Sequence, residues 1–206
     1  MSQPSVQARE ANRFERRKGR TRQEILRAAE QVLASKGFFD AKIADIAEAA
    51  DVGVGTVYLH FDTKEALFEA VVEDAVGRLK EAVDGARAGA RSAVDDVRAA
   101  TGAFCRFADA NRAVFRIVFG HGGTYHDVIR RTQALFAADV EQTVRRGVAD
   151  GVFRVTAPAL AAHALVGMST QLLAWWAERE ATPIETIEET IVALTLGGLG
   201  GTHKGA

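Results

Sequence analysis

Tyr58, His60 and Lys64, together with Gly53, Gly55 and Thr56, crowd into the stretch DVGVGTVYLHF at residues 51–61 and the DTKE that follows it. The types and spacing suit contact with a polyanion. Thr56, Tyr58, Leu59 and His60 fall outward or at the edges of a short helix, where a few side chains can reach base edges and phosphates. Gly53 and Gly55 leave room for backbone to approach a phosphate, and the free N–H groups at a helix start favour an anion. No proton-transfer pair, nucleophile triad or phosphate loop accompanies them, so no enzymatic activity is expected. HGGTYH at residues 121–126 suggests an esterase oxyanion loop or, through His121 and His126, a metal site. The first needs a G-x-S-x-G turn that is missing, and the second finds only Asp127 as a further ligand. Neither metal nor cofactor is expected.

The elements that must position these residues are helical. Ile25, Ala28, Ala29, Val32 and Leu33 recur at helix spacing, with Thr21 and Glu24 as a capping box before them and Gly37 as a stop. A short segment from Ile43 to Ala49 follows. Asp51 then sits at a sharp turn, where Asp tolerates the left-handed conformation. Residues 53–61 form the third helix, docked by Val52 and Val57 on Ile46, Ala47 and Ala50. Two helices joined by a tight turn, the second too short to stand alone, describe a helix-turn-helix. Beyond it, helical stripes continue through Phe68 to Val83, Val94 to Phe107, Ala113 to Phe119, Ile129 to Val148, Pro158 to Ala177 and Ile184 to Leu194. With no alternating strand pattern, the chain is expected to be all-α with about nine helices.

The net charge of −1 exerts no overall pull on nucleic acid, but its distribution is uneven. From Arg9 to Arg22 there are seven basic residues against two acidic ones, read either as an arm for DNA backbone or minor groove or as a solvated disordered tail. Cys105 is the only cysteine, which excludes an intrachain disulfide and points to a reducing compartment. The first residues lack a signal-peptide core, and the most apolar window, Pro158 to Ala177, carries His163, Ser169, Thr170 and Gln171 and reads as a buried helix rather than a membrane span.

The run from Thr21 to Val72 resembles the DNA-binding domain of the TetR family of transcriptional regulators. Gly55, Thr56, Val57, Tyr58, His60, Phe61, Lys64 and Glu65 carry the likeness most specifically. The all-helical remainder is similar in architecture to the family's dimerising, ligand-sensing domain. The resemblance implies an N-terminal three-helix helix-turn-helix domain at residues 1–66 and a larger helical effector-binding and dimerisation domain at 67–206. It implies DNA contacts from Thr56, Tyr58 and His60, the last two through phosphates, and phosphate contacts from Lys42 and Lys64. Gly53, Val54, Gly55 and Leu59 complete the reading face, with Leu59 supplying an apolar base contact where a polar residue is frequent. Arg20 closes the basic arm.

The resemblance also implies an effector pocket among the middle helices. Its candidates are Phe104, Phe107, Phe115, Phe119, Tyr125, His126, Gln171 and Trp175, for an apolar or aromatic small molecule; as residues alone, the aromatics read first as core. The last two helices would pair with a second copy through His163, Gly167, Ile187, Ile191 and Leu194, although the same pattern would also close a monomer's core. The implied function is a homodimeric, cytoplasmic, nucleoid-associated repressor that leaves a palindromic operator when an effector binds. Two other readings stand beside it: an all-α small-molecule-binding or catalytic protein without DNA binding and, more weakly, a dimeric interaction module whose N-terminal domain docks a protein.

Overall fold

The structure, a computed structural model, describes residues 6–120, 126–179 and 181–200. Among them are nine helices and no strand: α1 (Val6–Asp40), α2 (Ile43–Ala49), α3 (Val54–His60), α4 (Lys64–Arg87), α5 (Ala93–Ala110), α6 (Arg112–Gly120), α7 (His126–Ala149), α8 (Pro158–Ala177) and α9 (Ile184–Gly200). The chain divides into two compact units, Met1–Asp74 and Ala75–Ala206, with the division inside α4.

In the first unit, Ile25, Leu26, Ala29, Val32 and Leu33 bury the inner face of α1, and α2 packs on α1 and α3 on α2. The regular turns of α1 end at Gly37, whose φ of 74° only glycine adopts freely, and Phe38 then folds edge-on to Phe68 at 5.2 Å. The start of α1 differs from expectation. Thr21 lies inside the helix, which begins at Val6 and carries the basic run with it. The physical reason is composition: Ala, Arg, Glu, Gln and Lys dominate residues 7–24, proline is absent there, and the lone Gly19 costs only about 1 kcal/mol.

The second unit is held by an apolar cluster of Cys105, Ala108, Phe115, Leu173, Trp176, Ile187 and Ile191, and by another of Ala93, Val144, Phe153 and Leu199. Arg112 caps α8: its guanidinium stacks on the Trp176 ring at 4.0 Å and donates to the Trp176, Ala177 and Arg179 carbonyls. A buried polar node joins three helices. Asp96 of α5 accepts from Arg87 Nε (2.6 Å) and Nη2 (3.1 Å) of α4, and from Thr143 Oγ1 (2.6 Å) and Arg146 Nη2 (2.9 Å) of α7. About two turns earlier on α4, Lys80 lies between Asp84 at 2.7 Å and Asp139 at 3.0 Å.

After α7 the chain turns at Gly151 (φ 72°), and the N–H groups of Val152 and Phe153 both donate to the Gly147 carbonyl. This folds the Phe153 ring over Gly147, where an added Cβ would stand 2.1 Å from a ring carbon. A helical Gly→Ala change ordinarily gains about 1 kcal/mol. Gly147→Ala is expected instead to lose about 1–3 kcal/mol through overpacking, read from chemical-denaturation midpoints. A gain would show that Phe153 does not sit there.

Candidate nucleic-acid interface

The reading helix is built from the inside out. Val57 is fully buried, as are Ile46 and Ala47 beneath it, so the seven-residue α3 is fixed by docking rather than by its own length. The turn before it is closed by Ala50 N–H on Ile46 O, Asp51 N–H on Glu48 O and Val52 N–H on Ala47 O. Asp51 adopts the expected left-handed conformation with φ 53°, alone among the described non-glycine residues. What remains outside is Gly53, Val54, Gly55, Tyr58 and Leu59, with Thr56 and His60 half-buried at the edges. Leu59 is 81% exposed, with Val54 and Tyr58 of the same short helix at 43% and 49%.

Two of the sequence-predicted lysines flank this face differently. Lys42 stands at the N-cap of α2, its N–H on the Asp45 carboxylate and its side chain exposed. Asp45 is held below the ordinary carboxyl range by Lys36, whose ammonium is 2.9 Å away, and then by that same Lys42 N–H. Lys64 opens α4 with its ammonium on the Phe39 carbonyl (3.3 Å) and over the Phe38 ring (4.5 Å). An ammonium has three donors, so Lys64 is oriented by this pair and keeps hydrogens for a further acceptor. Arg20 is exposed and pairs with Glu24 one turn on.

Sequence reasoning missed the tie between α1 and the end of α3. The Arg22 guanidinium lies over the Phe61 ring at 5.1 Å. Burial, and then the charges of Lys18 and Arg22, push the His60 imidazole below its ordinary value. The basic run itself was the available signal; its partner is a tertiary neighbour and leaves no local pattern. Free His60 is therefore neutral at pH 7, while a nearby phosphate would favour the imidazolium. If His60 meets a phosphate, affinity for duplex DNA at constant ionic strength is expected to rise as the pH falls through about 6.5 and below. His60→Gln should flatten that rise, and an unchanged slope in the variant would remove the contact.

The candidate pocket residues divide. Phe104, Phe107 and Phe115 do come together: Phe104 lies 6.1 Å from Phe115 and stacks on Phe136 at 6.3 Å, and Phe107 packs on the same cluster. Gln171 and Trp175 do not join them, because the turn of α8 points them outward, with Trp175 42% exposed. The side chains of Phe119, Tyr125 and His126, like residues 121–125 of the HGGTYH loop, lie outside the described residues. Cys105 is buried in the aromatic cluster, and burial pushes its thiol up to about 12, leaving no thiolate at neutral pH. Among the described residues no group of three His, Cys, Asp or Glu could hold a metal ion, and no helix is long and apolar enough to cross a membrane.

The candidate interface residues divide as well. His163 and Leu194 are exposed and Gly167 is half-buried. Ile187 and Ile191 are instead inside the chain's own core, at 5% and 1% exposure, packed with Leu173 and Trp176. Both faces of α9 carry apolar residues, so periodicity alone did not mark which one turns inward.

The sequence model of bacterial regulatory proteins of the tetR family matches residues 25–71, and that of the tetracyclin repressor-like C-terminal domain matches residues 90–199. The HTH-type transcriptional regulator UidR of Escherichia coli is 36% identical over 69 residues, 32% of this chain and 35% of UidR, so the chain spans about a third of that relative's length. The HTH-type transcriptional repressor KstR2 of Mycolicibacterium smegmatis is 24% identical over 196 residues, 86% of this chain and 90% of KstR2. Among solved structures, the regulator FadR of Bacillus subtilis in complex with stearoyl-CoA superposes with a TM-score of 0.75 at 15% identity, covering 86% of this chain and 98% of FadR.

Proposed function

Because the chain belongs to the TetR family of bacterial regulatory proteins, we propose that this DNA-binding transcriptional regulator acts as a dimeric repressor that a small apolar molecule releases from a palindromic operator. The observation that carries the DNA-binding half is α3: a helix of seven residues whose inner side is wholly buried and whose outer side is Val54, Tyr58 and Leu59. In a major groove, Leu59 would meet an apolar base edge such as a thymine methyl, with Lys42, Tyr58, His60 and Lys64 on phosphates.

Two exposed stripes support the dimer. On α8 Leu160, Ala164, Gln171 and Trp175 share one face, at i, i+4, i+11 and i+15. On α9 Thr186, Thr190, Ala193 and Gly197 do the same with small side chains that let a second helix approach closely, and Leu194 adjoins them. A second copy would cover both stripes with the same two helices, giving a self-complementary two-fold interface. Trp175 and Gln171 then move from the pocket proposal to this one. Two reading helices about 34–36 Å apart would meet successive major grooves of a palindrome.

The effector would lie against Phe104, Phe107 and Phe115. Its release effect requires only a difference in affinity between two conformations, typically about 1–3 kcal/mol. FadR's stearoyl-CoA puts long-chain acyl thioesters first in a screen. The test is selection from random duplexes with the purified protein, followed by release of the winning duplex. An enriched palindrome supports the reading. No enrichment at low salt, from protein shown to be folded, rejects DNA binding and sends the search to the aromatic cluster.

A further inference from the structure

The basic run is part of α1, not a tail. Residues 6–21 continue the helix, and at about 1.5 Å per residue they extend it by roughly 22 Å beyond the first buried turn. Arg13, Arg16, Arg17, Lys18 and Arg20 along it are all exposed. At about 100° per residue, Arg13, Arg16, Arg17 and Arg20 fall within one arc, while Lys18 and Arg22 lie on the other side. That other side is the one turned to α3, since Arg22 reaches the Phe61 ring at the helix's C-terminal end. Cationic groups therefore ring the extension, against only Glu10 and Glu15 between Arg9 and Arg22.

Such an element cannot do what a flexible arm does. An α-helix with side chains is about 10–12 Å across, and the minor groove of B-DNA is about 6 Å wide. A folded helix is too wide for that groove, and in this reading α3 occupies the adjacent major groove, so the sugar–phosphate rims are what its basic side chains meet. Its direct continuation into the helix-turn-helix unit, and the Arg22 contact at the end of α3, place its root beside the reading face.

We infer that the N-terminal extension of α1 is a helical phosphate-binding element, which lies along the DNA backbone next to the site read by α3 and adds affinity without sequence preference. The inference rests on the DNA-binding reading above. It differs from a minor-groove arm in a measurable way: phosphates are the same over every sequence, whereas minor-groove contacts distinguish A·T from G·C.

The experiment uses the full chain and its Arg13→Gln/Arg17→Gln/Lys18→Gln variant on two scrambled duplexes of equal length, one all A·T and one all G·C, titrated at several salt concentrations. Each phosphate contact contributes about 0.9 to the slope of log K against log salt. The variant is expected to lose about 2–3 from that slope for each bound subunit, equally on both duplexes. The charge-conserving Arg13→Lys/Arg17→Lys protein should keep the slope, and far-ultraviolet circular dichroism reports whether the helix survives in each. A loss confined to the A·T duplex would overturn the inference in favour of a minor-groove arm. An unchanged slope with intact wild-type binding would overturn it in favour of a solvated helix. Wild-type protein that binds neither duplex at low salt would remove the DNA-binding reading itself, and the inference with it.

Discussion

Asp96→Ala is expected to remove about 3–5 kcal/mol of folding stability, because it strips the counter-charge from Arg87 and leaves the Thr143 hydroxyl only the longer contact to the Asp139 carbonyl, at 3.3 Å. The Asp96 side chain is 4% exposed and that of Arg87 is 20%, so water replaces little of what is lost, whereas Arg146 at 48% can turn outward. The effect has a pH signature. Burial pushes the Asp96 carboxyl up, but Arg87, the Thr143 hydroxyl and Arg146 together hold it below its ordinary value. A carboxyl depressed in the folded state contributes stability that is fully present above its unfolded value, about 3.9, and is lost as the pH falls from there through the folded value. The gap between wild type and Asp96→Ala, measured by urea denaturation, should therefore be constant near neutrality and shrink below about pH 4.

A second variant separates pairing from mere shape. Asp96→Leu/Arg87→Met/Thr143→Val removes Asp96 with its two less exposed partners, leaves the half-exposed Arg146 to turn to water, and should recover most of the loss, since a buried ion pair is close to neutral against well-packed apolar groups. A single Asp96→Ala change that costs less than about 1 kcal/mol, the size of an exposed pair, would mean that the node is open to water.

The largest functional effect is expected from Leu194→Glu. In the chain alone Leu194 is half exposed, so the substitution should leave helix content and thermal midpoint nearly unchanged. In a two-fold dimer every substitution occurs twice, and each buried, unpaired carboxylate costs several kcal/mol. Sedimentation should then find monomer, and affinity for a palindromic duplex should fall by about 100-fold or more, the equivalent of about 2.7 kcal/mol. Ile191→Glu is the contrast. Ile191 is packed against the Trp176 cluster, so its variant should lose the fold rather than the dimer. A Leu194→Glu protein that stays dimeric would reject the α8 and α9 stripes as the interface.

The reading helix was legible because its rules are local. Asp51 and Gly37 take positive φ values that their own covalent structure tolerates, and Val57 follows Ile46 and Ala47 at a spacing that only a tight turn can bring together. Phe104, Phe107 and Phe115 were legible as a group because aromatic side chains at helix spacing on neighbouring helices meet in a core. Less legible was everything that depends on rotation about a helix axis. Gln171 and Trp175 were read as pocket and Ile187 and Ile191 as interface, and the rotations of α8 and α9 place Gln171 and Trp175 outward and Ile187 and Ile191 in the core.

The sequence by itself determined the helical class, the helix-turn-helix and its outward residues, since periodicity, turn chemistry and capping act over a few neighbouring residues. Tertiary structure alone decided four things: which faces of α8 and α9 turn inward, that Asp96 gathers Arg87, Thr143 and Arg146, that Phe153 folds over Gly147, and that Arg22 meets Phe61. Helices apolar on most sides carry no polar stripe to mark the surface, and partners 6 to 56 residues apart on different segments leave no spacing to read. Their geometry exists only once the helices have packed.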